Sequence, residues 1–300
     1  MAVNRGAFAA LLTPDLYRVY VETGKERPLE YTLFFNVDDM PWNPVTDQQI
    51  AGLGTLLSMP EGNNFPLDEP LLGGQVSYTA VPFGLAVEIT WPMWRDDQYG
   101  IMRELVAELA RSSRNRQEVD AWSVLNNAFD NAFPGFDGVS LCNTAHPLLG
   151  GGTTANRPSP DVGFSSLAIQ NALTRFENMP NERNLPRLMT PDMLLIAPEN
   201  KFLARQILGS ARAPFVGAAN EINPLMQDDL SYMVCHYFTN TAQWFLASRK
   251  AHDLQFLFRD RPIFDGFDAP WNKNAIFTVY QRHTKGFGSW RGIDGSRATA

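Results

Sequence analysis

Apolar and polar side chains alternate between residues 81 and 91, and the alternation stops at Pro92. A period of two is typical of a half-buried strand. Asp96 and Asp97 then supply carboxylates of the kind that favour a helix N-terminus, and no Pro or Gly occurs from Ile101 to Phe133. The pattern predicts a strand followed by one long helix at about residues 96–130. The alternating apolar positions are Val81, Phe83, Leu85, Val87, Ile89 and Trp91.

The segment before this strand predicts a short helix and the first half of a long hairpin. Thr13 and Pro14 are typical of a helix start, and Gly24 is typical of a helix end. Apolar residues also alternate at positions 33, 35 and 37, so we expect residues 31–91 to form a β-hairpin. Five prolines between positions 38 and 74 exclude one regular element there. The middle of the hairpin is therefore expected to project outward.

Residues 164–250 predict a compact α/β unit, which two closing strands follow. Serines at the start of one helix and Pro198 at the start of another provide the capping signals. The predicted elements are a helix from Ser165 to about Asn178, a strand at Met193–Ala197, a helix from Pro198 to before Gly209, a hairpin of Ser231–Phe238 with Gln243–Ser248 around Asn240, and closing strands at Leu254–Phe258 and Ile276–Tyr280.

Composition indicates a globular chain with ample apolar material for a core. The chain has 300 residues, of which 44% are hydrophobic and 19% are charged, with a net charge of −7. The acidic balance argues against nucleic-acid binding through a basic patch. Two cysteines give no disulfide framework, which favours the cytoplasm as the site of synthesis. No apolar run is long enough to cross a membrane.

Charge is unevenly distributed along the chain. No Lys or Arg lies between Arg27 and Arg95, whereas residues 31–75 contain six acids and the predicted long helix contains several arginines. One interpretation is two solvated faces. The other is an acidic segment that lies on the arginine-bearing helix of a neighbouring subunit. The candidate inter-subunit residues are Asp38, Asp39, Glu61, Asp68, Glu69, Arg103, Arg111, Arg114 and Arg116.

Few residue patterns suggest catalysis or metal binding. Cys142 and His146 lie four apart and Cys235 precedes His236, but this spacing matches no compact zinc motif. Cys142 with His146 and Asp137 would offer the residue types of a nucleophilic triad, without a supporting local signature. We therefore assign no catalytic residue, no metal ligand and no cofactor. A hydrolase that uses the Cys142/His146 loop is kept as an alternative.

Several short motifs occur in order along most of the chain. They are Gly52-Leu53-Gly54, Met59-Pro60-Glu61-Gly62, Leu67-Asp68-Glu69-Pro70, Gly84–Thr90, Asp96–Gly100, Leu141–Pro147 with Gly150-Gly151-Gly152, and Trp290–Ile293. With these motifs the chain resembles the major capsid proteins of tailed phages, and within them the Mu-like major head subunits. The resemblance implies the α+β Hong Kong 97-type capsid fold.

The resemblance also implies a division of the chain into the parts of that fold. Neither main domain would be continuous in sequence, because the chain leaves the peripheral domain and returns to it. The implied parts are an N-terminal arm at 1–30, an extended loop (β-hairpin) at 31–91, a peripheral domain at 92–163 with the spine helix at about 96–130, an axial domain at 164–252, and a return to the peripheral domain at 253–300.

The function implied by the resemblance is structural and not enzymatic. Such subunits assemble into pentamers and hexamers of an icosahedral head that encloses dsDNA without reading its sequence. The expected location is the virion capsid, after assembly in the host cytoplasm without a membrane. Because the chain starts at Met1 without a long scaffold-like segment, we expect a separate scaffold protein. A portal and a decoration protein are further expected partners.

Two points of the resemblance leave room for other outcomes. A cellular nanocompartment shell of the same fold is an alternative, with enzyme cargo in place of DNA.

Some relatives join their subunits by a covalent bond from a lysine in the extended loop, but lysine occurs here only at Lys25, Lys201, Lys250, Lys273 and Lys285. We therefore expect a shell without covalent cross-links.

Overall fold

The computed structural model describes residues 8–96, 100–212, 222–226, 228–269 and 274–298. Within these ranges the α-helices are α1 (Phe8–Thr23), α2 (Trp91–Arg95), α3 (Ile101–Asn126), α4 (Ser166–Glu177) and α5 (Lys201–Gly209), and 3₁₀ helices lie at Tyr31–Leu33, Pro198–Asn200 and Pro224–Met226. The strands of the same ranges are β1 (Asn36–Asp39), β2 (Val45–Ala51), β3 (Leu71–Tyr78), β4 (Val81–Ile89), β5 (His146–Pro147), β6 (Thr153–Thr154), β7 (Met193–Ile196), β8 (Ser231–Val234), β9 (Gln243–Ala247), β10 (Leu254–Asp268), β11 (Ala275–Phe287) and β12 (Ile293–Arg297).

The chain forms two compact units, and each is assembled from three separate segments. The first unit takes the described residues of Met1–Val45, Tyr78–Ala121 and Gln255–Gly286. The second takes those of Thr46–Ser77, Trp122–Leu254 and Phe287–Ala300, so the boundary falls inside α3. The assignment of axial and peripheral domains stays a prediction, because contacts within one subunit do not show where each part lies in a shell.

A four-stranded sheet in the order β1-β10-β11-β4 forms the centre of the first unit. The first strand, β1, runs parallel to β10, whereas β4 runs antiparallel to β11 in a register that joins Val81 to His283 and Ile89 to Ala275. Apolar side chains from α1, α3 and the sheet then fill one core. Its buried members are Leu16, Ile89, Val106, Leu109, Phe264, Ala275, Phe277 and Val279.

The predicted hairpin over residues 31–91 is wrong in its pairing. The alternating segment 81–89 is indeed a strand, but its partner is β11. The segment at 36–39 pairs with β10, and only β2 and β3 pair with each other within 31–91. Alternation specifies which face of a strand is buried, and it leaves the partner strand open, because any strand with an apolar face satisfies it equally.

The second unit contains a four-stranded sheet in the order β12-β9-β7-β8. Strands β7 and β9 are buried along their whole length, which explains their continuous apolar runs. The predicted hairpin around Asn240 is wrong, because β7 lies between β8 and β9 and pairs with both. Helix α4 confirms its prediction: the Ser165 hydroxyl accepts a hydrogen bond from the Ala168 N–H, and Asn178 follows the last turn.

The helices near the start of the chain differ from prediction at their N-terminal ends. Helix α1 already includes Phe8, so Pro14 lies inside it, while Gly24 ends it as predicted. The long helix is confirmed as Ile101–Asn126, but Asp96 lies at the C-terminal end of α2 and does not begin α3. Asp97 lies outside the described residues. Thr90 caps α2, which explains why the strand stops before Trp91.

Candidate assembly surface

Residues 52–70 connect β2 to β3 and expose apolar side chains along most of their length. We call this segment the apolar loop. Leu56 is 102% exposed, Leu67 is 97% exposed and Phe65 is 80% exposed. Prolines at 60, 66 and 70 prevent the segment from forming a regular strand. Exposed apolar side chains in such number are typical of a surface that another molecule covers, so this segment is the candidate assembly surface. The exposed large apolar residues of the loop are Leu53, Leu56, Leu57, Met59, Phe65 and Leu67.

Polar contacts hold the two ends of the apolar loop in place. Asp68 accepts a hydrogen bond from the Gly54 N–H at 2.6 Å and pairs with Arg183 Nη1 at 3.0 Å. The Gly54 hydrogen bond, and then the bond to Arg183, hold the pKa of Asp68 below its ordinary value. Arg183 also donates to the carbonyl of Glu69. The loop ends are therefore fixed while the middle of the loop stays exposed.

The Gly-rich segment at 150–152 packs against the backbone of Glu182 and Arg183. The Gly150 N–H donates to the carbonyl of Glu182 at 2.8 Å. A Cβ atom at Gly150 would lie 2.9 Å from the Arg183 Cα, so no larger residue fits there. Sequence reasoning missed Arg183 because it lies 115 positions from Asp68. The close approach at Gly150 explains one of the three consecutive glycines.

The predicted arginines of α3 bind other parts of the first unit. Arg103 pairs with Asp15 of α1 at 2.6 Å, and Arg111 pairs with Glu26 at 3.3 Å. Arg114 donates to the backbone carbonyls of Gly24 and Arg27, just after α1. These contacts hold the N-terminal segment against α3 within one subunit.

The remaining candidate inter-subunit residues are either paired within the subunit or exposed. Arg116 pairs with Asp120 at 2.7 Å and lies over the Phe83 ring at 4.3 Å. Asp39 pairs with Arg261 at 3.0 Å. Asp38 and Glu61 are exposed, as is Glu69.

His146 belongs to a buried hydrogen-bonded group that has a structural role. Its Nδ1 lies 2.6 Å from Asp137 Oδ2, and its Nε2 lies 2.9 Å from Asn156 Oδ1. The imidazole ring also stacks on Trp290 at 4.1 Å between centroids. The structure therefore brings Asp137 and His146 together, as a triad would require, but the nitrogen that would take a proton from a thiol is bonded to Asn156.

Cys142 has the wrong surroundings for a nucleophile. Its side chain is completely buried, and burial raises the pKa of the thiol well above its ordinary value. The reactive thiolate form is therefore disfavoured. Among the residues that the structure describes, no three His, Cys, Asp or Glu side chains are grouped to hold a metal ion. The same ranges contain no helix that is long and apolar enough to cross a bilayer.

Solved structures that match this chain include capsid chains of bacteriophage JBD30 and of a GTA particle. A chain from the capsid of a native GTA particle matches with a TM-score of 0.62 at 10% identity, over 91% of this chain and 91% of that one. A chain from the procapsid of bacteriophage JBD30 matches with a TM-score of 0.53 at 16% identity, over 98% of this chain and 76% of that one. A chain from the JBD30 capsid decorated with minor capsid protein trimers gives 0.56 at 12% identity, over 71% and 92%.

These matches define the class of the fold, which is the Hong Kong 97-type capsid fold predicted from the sequence motifs. The sequence model of the phage capsid protein family matches residues 74–293, which is more than half of the chain. The protein belongs to the phage capsid protein family, and it is a major capsid protein of a phage head shell. No curated protein sequence matches the chain.

Proposed function

We propose that this chain assembles with itself into the pentamers and hexamers of an icosahedral head that encloses dsDNA, and that the apolar loop is the main contact between subunits. The exposed apolar side chains of the loop carry the proposal. Covering one Leu or Phe side chain stabilises an interface by roughly 1.5–3 kcal/mol. Five Leu or Phe residues and Met59 in each loop supply favourable energy to offset the ordering that assembly requires.

Charge supports a second set of contacts between subunits. Arg103 and Arg111 have side chains that are 62% and 46% exposed, so a carboxylate of a neighbouring subunit can reach them beside their present partners. We propose that the acidic and basic sets predicted from the sequence meet across subunit boundaries. The acidic set is Asp38, Asp39, Glu61, Asp68 and Glu69, and the basic set is Arg103, Arg111, Arg114 and Arg116.

The remaining partners follow from the proposed shell. Assembly takes place in the host cytoplasm around a separate scaffold protein, with a portal at one vertex. The similarity to a chain of a decorated JBD30 capsid supports a decoration protein as a further partner. The net charge of −7 supports an interior that holds DNA without sequence-specific binding. The sequence motifs at 59–62, 67–70, 141–147 and 290–293 support a family relationship to the Mu-like head subunits.

The protein has no enzymatic role in this proposal. The buried Cys142 thiol and the engaged nitrogens of His146 support that view over the hydrolase alternative. The nanocompartment alternative shares the fold, but the matching family model describes phage capsid proteins. Enzyme cargo inside purified shells, in place of DNA, would favour the nanocompartment.

Replacement of two loop residues tests the main proposal. The double variant L56D/L67D should fold normally, because both side chains are fully exposed in the subunit. Its free energy of unfolding should change by less than about 0.5 kcal/mol. Co-expressed with the scaffold protein, it should give no regular shells in electron micrographs, because charged groups would replace the apolar contact.

The matched control is L56M/L67M, which keeps both positions apolar and should assemble like the wild type. Regular shells of L56D/L67D in normal yield would contradict the proposal. Loss of shells in both variants would also contradict it, since the apolar character of the two positions would then not be the cause.

A further inference from the structure

His146 of β5 is a buried imidazole with a polar partner at each ring nitrogen. Its side chain is 0% exposed, and that of Asp137 is 5% exposed. Nδ1 lies 2.6 Å from Asp137 Oδ2, and Nε2 lies 2.9 Å from Asn156 Oδ1. All three residues belong to the second unit. A neutral imidazole has one donor and one acceptor nitrogen, whereas an imidazolium has two donors, so the partners indicate which form the fold contains.

Asn156 determines that Nε2 of His146 carries a hydrogen. The Asn156 Nδ2 group donates to the carbonyls of Leu141 at 2.7 Å and of Ile293 at 3.0 Å. Its Oδ1 accepts from the Asn143 N–H at 2.8 Å. Because a backbone carbonyl only accepts and a backbone N–H only donates, these three contacts fix the orientation of the amide. Oδ1 therefore faces Nε2 as an acceptor, and Nε2 is the donor.

Asp137 then requires a second proton, at Nδ1. With its hydrogen on Nε2, a neutral ring would direct the Nδ1 lone pair at the Asp137 carboxylate across 2.6 Å, which is repulsive and forms no hydrogen bond. One proton therefore lies between these two atoms. An imidazole holds a proton more tightly than a carboxylate does. The other oxygen of Asp137 accepts from the Val139 N–H at 3.3 Å, which also favours the ionised carboxylate.

The surroundings of the imidazole ring accommodate a positive charge. The ring stacks on Trp290 with 4.1 Å between centroids and 17° between planes, and an aromatic face attracts a cation. Arg291 also lies over the Trp290 ring, at 4.4 Å, but its charge is offset by the pair with Glu182. Asp294 is paired with Arg175. The titratable and charged groups on the segments next to the ring are Asp137, Cys142, Glu182, Asp253, Arg291 and Asp294.

We propose that His146 is an imidazolium ion at neutral pH, and that its second proton locks residues 137–156 in place until the pH becomes alkaline. The two ends of this segment, Asp137 and Asn156, are both bonded to the ring. Without the proton, Nδ1 and the carboxylate would face each other as two buried acceptors, which destabilises the folded state. The segment also includes Gly150, which packs against Arg183. The inference goes beyond the proposed shell function and concerns the single subunit.

Proton binding makes the folded subunit less stable at higher pH. A histidine of an unfolded chain releases its second proton near pH 6.5, about the ordinary value for this side chain. Above that pH the folded state, with its imidazolium, holds one more proton than the unfolded state does. The stabilisation is therefore fully present below about pH 6.5 and is lost as pH rises. Each pH unit in this range should raise the unfolding equilibrium constant by up to about tenfold.

The direct test is nitrogen NMR of the full-length, unassembled subunit with isotope-labelled histidine, at about pH 7.5. The resonances of His146 are identified by the contact of its ring with Trp290. Both ring nitrogens should carry a hydrogen. A hydrogen on Nε2 alone would overturn the proposal, because the proton would then be absent or on Asp137. This measurement needs no variant, so it decides the question even where a substitution prevents folding.

Variant D137N tests the pH dependence. Its new amide can donate to an unprotonated Nδ1, so a neutral ring keeps both partners. In urea unfolding between about pH 6.5 and 8.5, the wild type should lose stability relative to D137N. The comparison cancels His283, which is bonded to Asp120 in both proteins.

The matched control is D161N, which removes a carboxylate of the second unit that pairs with Arg157. It should keep the pH dependence of the wild type. Equal pH dependence in the wild type and D137N would contradict the proposal, as would its loss in D161N. Assembly is not part of the readout, so a failed shell experiment would leave the result intact.

Discussion

At the residue scale, Asp120 of the first unit is a buried carboxylate with basic partners from two elements. It is bonded to His283 Nε2 at 2.9 Å, to Lys285 Nζ at 2.9 Å and to Arg116 Nε at 2.7 Å. Burial by itself raises the pKa of Asp120, but these three partners outweigh burial and lower it to about 2. The carboxylate therefore stays ionised in the folded protein over nearly the whole pH range.

The lowered pKa of Asp120 predicts a specific acid sensitivity. A carboxyl group whose folded pKa is lower than its unfolded value stabilises the fold above the unfolded value, and loses that contribution as pH falls through the folded value. For Asp120 this pH interval runs from its ordinary pKa of 3.8 down to its folded pKa of about 2. Between these limits the wild type should lose about 2 kcal/mol of unfolding free energy from this residue.

Variant D120N isolates this contribution. It should be less stable than the wild type at neutral pH, and the difference should shrink as pH falls from about 4 to 2. Urea unfolding at several pH values measures both quantities. A difference that stays constant over this interval would show that Asp120 is not the titrating group.

At the element scale, helix α3 holds the N-terminal segment through its arginines. The contribution of each arginine differs with burial. Arg114 is half-buried and donates to two backbone carbonyls that follow α1, whereas Arg103 forms one exposed ion pair with Asp15. Two hydrogen bonds from a charged group to backbone carbonyls, one of them part-buried, contribute more than a single exposed ion pair does.

Charge reversal at these two positions should therefore have unequal effects. R114E should lower the free energy of unfolding by about 2–3 kcal/mol, because two carbonyls lose their donor and face a carboxylate. R103E should lower it by less than about 1 kcal/mol. Denaturant unfolding of the unassembled subunit measures the difference. Equal losses of unfolding free energy in R114E and R103E would mean that the contacts of Arg114 do not hold the N-terminal segment.

At the scale of the whole molecule, each compact unit has its own buried core, whereas the apolar loop has none. The second unit buries Trp244 and Phe245 completely, and the first buries Ile89 and Phe277. The loop in the same chain leaves Leu56 fully exposed. The buried cores favour a subunit that folds on its own, and the exposed loop is the surface that we propose neighbouring subunits cover.

Residues 31–91 contain no lysine, so we expect assembled particles without covalent cross-links from this segment. Contacts of the loop should be non-covalent, because no amine is present there to form an amide bond with another subunit. Mature particles boiled in detergent should release a single band of subunit size on a denaturing gel. A ladder of multimers would contradict this and would direct attention to lysines elsewhere in the chain.

The sequence by itself determined the local elements and the family. Ser165 as a helix cap, the Pro- and Gly-free run after Ile101 and the alternation from Val81 each act over a few residues, so the chain pattern is sufficient to locate α4, α3 and β4. The motifs along the chain indicated the capsid fold. The prolines before residue 74 also indicated that residues 52–70 form no regular strand.

Only the tertiary structure decided which elements pair and which charges meet. Strand β4 joins β11, β7 separates β8 from β9, and Arg183 meets Asp68 from 115 positions away. These choices depend on how two complete cores bury their apolar faces, and a local pattern of apolar or charged residues is compatible with many partners.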